Sequence, residues 1–210
     1  MIRNTLFAFL TLVPSLCAQT DHKISFGVIG GADLISRSNV PSIRLDESRP
    51  YLIGASFEIR LMGAFALETD AIYKRVGRSQ SYSFLSPPVG SSSSFSSRER
   101  GNSWEFPVLG KYYFRAGSPG WHPFVASGFA VQTTWLNTRG TSILSGTNGG
   151  TYSFDAHSRT PLAVGAIVAV GMQAKAGPVA FAPQIRYTRW GDPGNNMPKN
   201  RVSPMLGISF

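Results

Sequence analysis

One segment of this chain, residues 103–115 with the sequence SWEFPVLGKYYFR, constrains the fold more than any other. Side chains alternate between the two faces of a β-strand, so the segment would have one apolar face and one charged face. The apolar face carries Trp104, Phe106, Val108, Tyr112 and Phe114, and the other carries Glu105, Lys111 and Arg115. Such a strand must separate an apolar medium from a polar one.

Seven further segments have the alternation or the apolar content typical of strands. They span residues 24–34, 51–61, 64–76, 122–136, 161–175, 178–190 and 201–210. Several exceed the usual 5–6 residues of a soluble strand and suit the ~9–11 residues of a tilted membrane-spanning strand. No segment shows the apolar spacing of a helix over a helical length.

The connections between these strands alternate strictly between short and long. The short ones are Met62 with Gly63, residues 116–121, and Ala176 with Gly177, whereas the long ones are 35–50, 77–102, 137–160 and 191–200. Outer-membrane barrels have short turns at one end and long loops at the other. The sequence therefore predicts an all-β, eight-stranded antiparallel up-and-down transmembrane β-barrel with four long external loops. The Ser-rich run 90–97 lacks apolar anchors, and we expect it to be mobile.

The polar faces of the strands predict the content of the barrel interior. In lipid, the outside of a barrel must be apolar, and eight strands leave an interior that side chains fill. We expect an interior network of paired charges formed by Glu58, Arg60, Glu68, Asp70, Lys74, Glu105, Lys111, Arg115 and Arg186. Aromatic residues near the strand ends predict interfacial girdles: Tyr51, Trp104, Phe114, Trp135, Tyr187 and Trp190.

A soluble lipocalin-like barrel would have the inverse arrangement, with the aromatic face lining a ligand cavity and the charges in water. Alternation alone does not distinguish the two. The apolar face runs the full length of several strands, and aromatic residues lie near strand ends, so the membrane barrel is favoured.

The first 18 residues have the pattern of a secretory signal peptide. Arg3 precedes an apolar run over residues 6–13, and mostly small residues follow up to Ala18. We expect a barrel domain over residues 19–210. The one cysteine of the chain, Cys17, lies in the signal segment, so the exported domain has no disulfide.

Four stretches resemble the small outer-membrane β-barrel domain family, which includes PorT-like and outer-membrane-protein-A-like barrels. They are WEFPVLGKYYF at 104–114, PFVASG at 123–128, RYTRW at 186–190 and LGISF at 206–210. The resemblance implies an outer-membrane location and insertion by the barrel assembly machinery. It also implies that Leu206, Gly207, Ile208 and Phe210 form the assembly signal.

The composition excludes several functions. The formal net charge is +9, but the basic residues are scattered and form no nucleic-acid-binding block; anionic headgroups or polysaccharide are better partners, and a solvated basic loop surface with no partner is favoured over both. Only His157 falls in an external connection, and its neighbours Asp155 and Ser158 do not complete a nucleophile–base pair on an extended strand. No cluster predicts a metal or cofactor.

The sequence thus predicts a monomeric structural or surface-interaction barrel in the outer membrane, embedded in lipid and not an enzyme. Its external loops would contact an unidentified extracellular ligand. The alternatives are a narrow channel and a soluble small-ligand carrier.

Overall fold

The computed structural model describes residues 24–34, 43–44, 51–86, 91–114, 120–145, 149–191 and 199–210. These residues form β1 (Ile24–Ala32), β2 (Ile43–Arg44), β3 (Tyr51–Met62), β4 (Phe65–Ser86), β5 (Ser91–Tyr113), β6 (Trp121–Ser145), β7 (Gly150–Arg159), β8 (Ala163–Ala176), β9 (Val179–Trp190) and β10 (Asn200–Ser209). No helix in these ranges is long and apolar enough to cross a membrane. The predicted signal segment and Arg115 lie outside the described residues.

Eight of the strands close into a barrel. The hydrogen-bonded order is β4-β3-β1-β10-β9-β8-β6-β5, and β5 pairs again with β4. All of these pairings are antiparallel, and the seam joins the first strand to the last, with Gly27 opposite Ser209. The Phe210 amide donates to the Phe26 carbonyl at 2.8 Å across that seam. The prediction of a closed eight-stranded antiparallel barrel is confirmed.

Glycine sets the two tightest turns, which lie at the same end of the barrel. Gly63 and Gly177 have φ angles of +50° and +63°, respectively. Two-residue hairpin turns whose twist matches the strands need a positive φ at their first position, which glycine adopts without strain.

At the opposite end, the prediction of a long loop is wrong for two of the four connections. Residues 77–102 and 137–160 are mostly strand, because β4 continues to Ser86, β5 begins at Ser91, β6 continues to Ser145 and β7 begins at Gly150. We call the strand portions 75–86, 91–102, 135–145 and 150–159 the external sheet. β2 pairs with its β4 edge at Gln80 and Ser79.

The expectation that residues 90–97 form a loop without anchors is wrong for residues 91–97, which belong to β5; residue 90 lies outside the described residues. Residues 92–97 pair with β4 on one side and with β6 on the other. Their backbone groups are therefore hydrogen-bonded, and the strand does not need an apolar side chain at every second position. The serines also alternate with an aromatic residue: Phe95 stacks on Tyr82 at 4.7 Å and on Phe154 at 5.9 Å between ring centroids. Such cross-strand pairs stabilise a sheet.

A bulge joins the external sheet to the barrel. Trp135 pairs with Arg159 on β7, whereas Gln132 pairs with Ala163 on β8, so one extra residue is accommodated at 160–162. The Thr160 amide donates to the Thr134 carbonyl at 2.9 Å, which keeps the two ladders continuous.

The faces of the barrel strands follow the predicted parity. Outward residues such as Phe106, Phe129 and Ile185 are 45–54% exposed. The assignment of Trp190 to an interfacial girdle is wrong, since its side chain is 3% exposed and faces inward. It lies three residues after the outward-facing Tyr187, so it has the opposite parity. The other five aromatic residues assigned to girdles are 36–45% exposed.

Candidate functional site: the charged interior and the external sheet

The interior near the short turns holds the first group of paired charges. The Lys111 ammonium donates to Glu58 at 3.0 Å and also pairs with Glu68. Glu58 accepts further hydrogen bonds from the Tyr113 hydroxyl at 2.7 Å and from Arg60 Nε at 3.2 Å. The Arg60 guanidinium lies 3.9 Å from the centroid of the Tyr113 ring. The side chains therefore satisfy each other's charges within the barrel.

Arg186 extends this group towards the middle of the barrel. Its Nη2 donates to Glu68 at 2.6 Å and its Nη1 to Asp70 at 2.7 Å. Because Glu68 pairs with both Lys111 and Arg186, the ion pairs form one continuous chain. We call it the lower network: Arg60, Glu58, Lys111, Glu68, Arg186 and Asp70.

A second group, the upper network, lies nearer the external sheet and comprises Asp33, Lys74, Glu105 and Arg201. Arg201 pairs with Glu105 through Nη2 and lies 3.3 Å from Asp33 through Nε. Lys74 Nζ lies 3.3 Å from Asp33 on the other side, and the Ser203 hydroxyl donates to Asp33 at 2.6 Å. Arg201 also lies 5.4 Å from the Trp190 ring centroid.

Eight of the nine residues assigned to the interior from sequence therefore lie in these two networks. The structure pairs Glu105 with Arg201, and it adds Asp33 and Arg201 to the interior, which sequence reasoning missed. The signal was available, since both residues share the inward parity of their strands, opposite to Val28 on β1 and to Leu206 on β10. With them, the ten described charges of the two networks are five acidic and five basic.

The interior is closed by packing. Glu58, Glu68, Asp70, Glu105, Lys111, Arg186 and Arg201 are each at most 6% exposed. A residual cavity beside Glu58, Glu68 and Lys111 has a volume of about 20 Å³, enough for about one water molecule. Glycines admit the large interior rings: a Cβ atom on Gly171 would lie 2.6 Å from Phe124, and one on Gly165 would lie 2.7 Å from Trp190.

A cluster of hydrogen-bonded hydroxyl and amide groups lies where the external sheet begins, on β5, β6 and the residue that follows β7. Gln132 Nε2 and the Thr134 hydroxyl donate to the Ser103 hydroxyl at 2.8 and 2.9 Å. The Thr160 hydroxyl donates to the Thr134 carbonyl at 3.1 Å. All four side chains are buried.

The two faces of the external sheet differ in chemistry. The face continuous with the barrel interior carries the stacked rings of Tyr82, Phe95 and Phe154. Phe154 covers Gly140, where a Cβ atom would lie 2.2 Å from the ring. The opposite face is polar and holds a shallow concavity of about 570 Å³, lined by Ser96, Arg98, Arg139, Thr141, Ser153 and Asp155 among others.

His157 lies on that polar face, in β7. Its Nδ1 is 4.0 Å from Asp155, and both side chains are largely solvent-exposed. Ser158 alternates to the other face of the strand. The described ranges contain no group of three or more His, Cys, Asp or Glu side chains that could hold a metal ion.

The residues assigned to the assembly signal lie at the seam. Leu206 and Phe210 are 45% and 55% exposed and share the outward face with Ile208, which pairs with Val28 on β1. Gly207 lies opposite Ile29. Their part in recognition by the assembly machinery stays a prediction.

No family model and no curated protein matches this chain. Solved structures do. The chain is similar to small outer-membrane β-barrels. One is the N-terminal β-barrel domain of OprF from Pseudomonas aeruginosa, with 13% identity and a TM-score of 0.48, covering 90% of this chain and 97% of that chain.

A second is Neisserial surface protein A, with 14% identity, a TM-score of 0.46 and coverage of 89% of this chain and 94% of that chain. A third is the outer membrane protein OprG from Pseudomonas aeruginosa, with 12% identity, a TM-score of 0.45 and coverage of 89% and 91%. At these identities the likenesses assign neither ligand nor activity to this chain, and its architecture is established by its own strand pairing.

Proposed function

We propose that the protein is an outer-membrane β-barrel whose closed, charge-paired interior supports a rigid external sheet used for surface interactions. The observation that carries this proposal is the combination of an interior occupied by paired charges with strands of 22–25 residues, at least twice the ~9–11 residues needed to cross a bilayer. A barrel that conducts solutes needs an open lumen, whereas a surface-interaction protein needs a stable platform outside the membrane.

The outward apolar surface supports the membrane location. Along β5 the outward residues from Phe114 to Trp104 are mostly apolar or aromatic, and from Asn102 onwards they are polar or charged. Lipid would surround the first part and water the second. Insertion by the barrel assembly machinery and a monomeric state are parts of the same proposal, as is the absence of catalysis.

Site-directed labelling tests the orientation. Ser94 lies in the external sheet and Lys175 near the short turns, and both are exposed. In a Cys17→Ser background, we expect a membrane-impermeant maleimide to label Ser94→Cys, but not Lys175→Cys, in intact Gram-negative cells. Both variants should react after the envelope is permeabilised. The reverse pattern would show that the external sheet faces the periplasm, and recovery of the protein in the soluble fraction would exclude the barrel from the membrane.

Conductance tests the closed lumen. Purified protein in planar bilayers should produce no steady ion current at moderate voltage, because the paired charges of the two networks occupy the described interior and most of them are buried. A stable, voltage-independent current in the folded protein would favour the alternative, a narrow channel.

A further inference from the structure

The polar face of the external sheet carries arginines in three consecutive cross-strand rows. From the barrel outwards, the rows are Arg75, Asn102, Trp135 and Arg159; then Gly77, Arg100, Asn137 and His157; then Ser79, Arg98, Arg139 and Asp155. We call its five arginines, Arg75, Arg98, Arg100, Arg139 and Arg159, the basic panel. Each of them is exposed.

The basic panel begins where the apolar surface ends. The row immediately below it contains Tyr73 and Trp104, whose ring centroids are 5.4 Å apart. Alternate residues of a strand are about 7 Å apart, and barrel strands tilt by about 35–45°, so the panel covers heights of about 5 to 16 Å above these rings. The polar layer of an ordinary phospholipid leaflet is only about 5–8 Å thick. The upper rows therefore reach past a phosphoglycerol headgroup and match a taller headgroup built of sugars.

Among the described residues, this face carries more arginines than carboxylates. Five arginines share it with one described acidic residue, Asp155, which accepts a hydrogen bond from Arg139 Nε at 3.0 Å. The Arg139 side chain is 76% exposed, so most of its five N–H donors remain accessible. The fork of a guanidinium matches two oxygens of a phosphate, which is why arginine suits phosphate recognition.

Two further features suit a phosphorylated sugar. The concavity of about 570 Å³ combines Arg98 and Arg139 with the hydroxyls of Ser96, Thr141 and Ser153, which can bind both phosphate and sugar oxygens. Nearer the barrel, the Arg159 guanidinium lies 5.1 Å from the Trp135 ring centroid and its Nε donates to the Thr133 hydroxyl at 3.4 Å. Arg159 is thereby held against the aromatic girdle, at headgroup height.

We infer that the basic panel binds the phosphate groups of an anionic glycolipid in the leaflet that surrounds the external sheet. The inference rests on the proposed function, because it requires this end of the barrel to be embedded in that leaflet. Its consequence is that the external sheet is fixed to the membrane surface by its outward face, while its aromatic face remains available to other partners.

Lipid binding by the purified barrel tests this inference. The folded protein in micelles of a neutral detergent is titrated with diphosphoryl lipid A, and bound lipid is counted by native mass spectrometry. We expect Arg139→Gln/Arg159→Gln to weaken binding about five-fold or more, since each cation near an anionic headgroup contributes appreciably. The control, Lys175→Gln, removes an exposed charge at the opposite end of the barrel and should change binding less than about two-fold.

Three additional measurements test whether phosphate groups and guanidinium groups account for the binding. Monophosphoryl lipid A should bind more weakly than the diphosphoryl form, and phosphatidylcholine should show no dependence on the panel. Raising the salt from about 0.05 M to 0.5 M should weaken binding of the parent more than that of the panel variant, because ions screen the exposed charges. Arg139→Lys/Arg159→Lys keeps the charge but loses the guanidinium fork, and should bind with intermediate affinity.

Several outcomes would overturn the inference: equal weakening by the control variant, equal binding of phosphatidylcholine, or displacement of lipid A by millimolar inorganic phosphate. Panel-dependent binding of a soluble anionic saccharide, with no lipid preference, would assign the panel to an extracellular partner instead. Heat-modifiable gel mobility verifies that each variant is folded. Because binding is measured in micelles, an inverted orientation or a conducting lumen would refute the proposed function without changing this result.

Discussion

The barrel interior and the external sheet share strands, yet charged side chains are paired and buried in the first and largely exposed in the second. Inside the barrel, five described acidic and five basic side chains pair with one another and are mostly excluded from water. On the outward face of the external sheet, five arginines share their surface with one described carboxylate. The alternation of residues is the same in both regions, so the surrounding medium decides what each face carries.

This comparison also shows how sharply the medium changes along a strand. On β5 the outward side chains Phe106 and Trp104 are followed directly by Asn102 and Arg100. The change from aromatic to polar therefore takes place between two neighbouring outward positions. A charge buried among apolar groups is costly unless it is paired, whereas an exposed arginine is not. Substitutions in the two regions should therefore differ strongly in their effect on stability.

The largest effect is expected in the lower network. Arg186→Leu removes the partner of Asp70 and one of the two partners of Glu68, and leaves a buried carboxylate unpaired. The free energy of unfolding should fall by about 3–5 kcal/mol, measured by urea unfolding in lipid vesicles with tryptophan fluorescence. Arg139→Gln, in an exposed pair, should change it by less than about 1 kcal/mol.

A double variant separates lost pairing from lost packing. Arg186→Leu/Asp70→Leu removes the uncompensated carboxylate and should recover a large part of the loss, because Glu68 keeps Lys111. If the double variant is less stable than Arg186→Leu alone, the ion pair is not the source of the stability, and the interior depends on the shape of Arg186.

The second prediction concerns the boundary between the two regions. Phe129 lies on β6 between Trp121 and Trp135, whereas Ile143 lies on the same strand beyond Trp135, and both are about half exposed. Phe129→Arg should lower the stability of the barrel by about 2–4 kcal/mol, since it places a cation in the lipid layer. Ile143→Arg should have an effect of about 0.5 kcal/mol or less. Equal losses in vesicle unfolding experiments would mean that the apolar layer does not end at Trp135.

The smallest effect is expected from the aromatic face of the external sheet. Phe154→Ala removes the stack on Phe95 and uncovers Gly140, which should destabilise the external sheet by about 1 kcal/mol. Amide hydrogen exchange should become faster in residues 92–97 and 139–144, while the global unfolding of the barrel stays unchanged. Tyr152→Ala, on the same strand and face, makes a matched control. Faster exchange throughout the barrel would show that the two regions unfold as one unit.

The barrel was predictable because strand alternation and loop lengths are local properties of the sequence. The external sheet was not, because residues 91–97 are mainly serine and form strand through hydrogen bonds to β4 and β6 rather than through their own apolar content. The partner of Glu105 was missed for a related reason: parity gives the face of Arg201, but pairing across the barrel depends on the stagger of the strands. Trp190 was misassigned by its position near a strand end, although its parity already indicated the interior.

The seam between β1 and β10 also fixes an order of events. These strands lie at opposite ends of the described chain, so their pairing closes the longest loop of the fold and is the slowest contact to form by chain diffusion. The upper network crosses the same seam, since Asp33 follows β1 while Arg201 and Ser203 lie on β10. Asp33 and Arg201 therefore meet each other only when the circle of strands is complete, whereas their other partners, Lys74 and Glu105, do not lie across the seam.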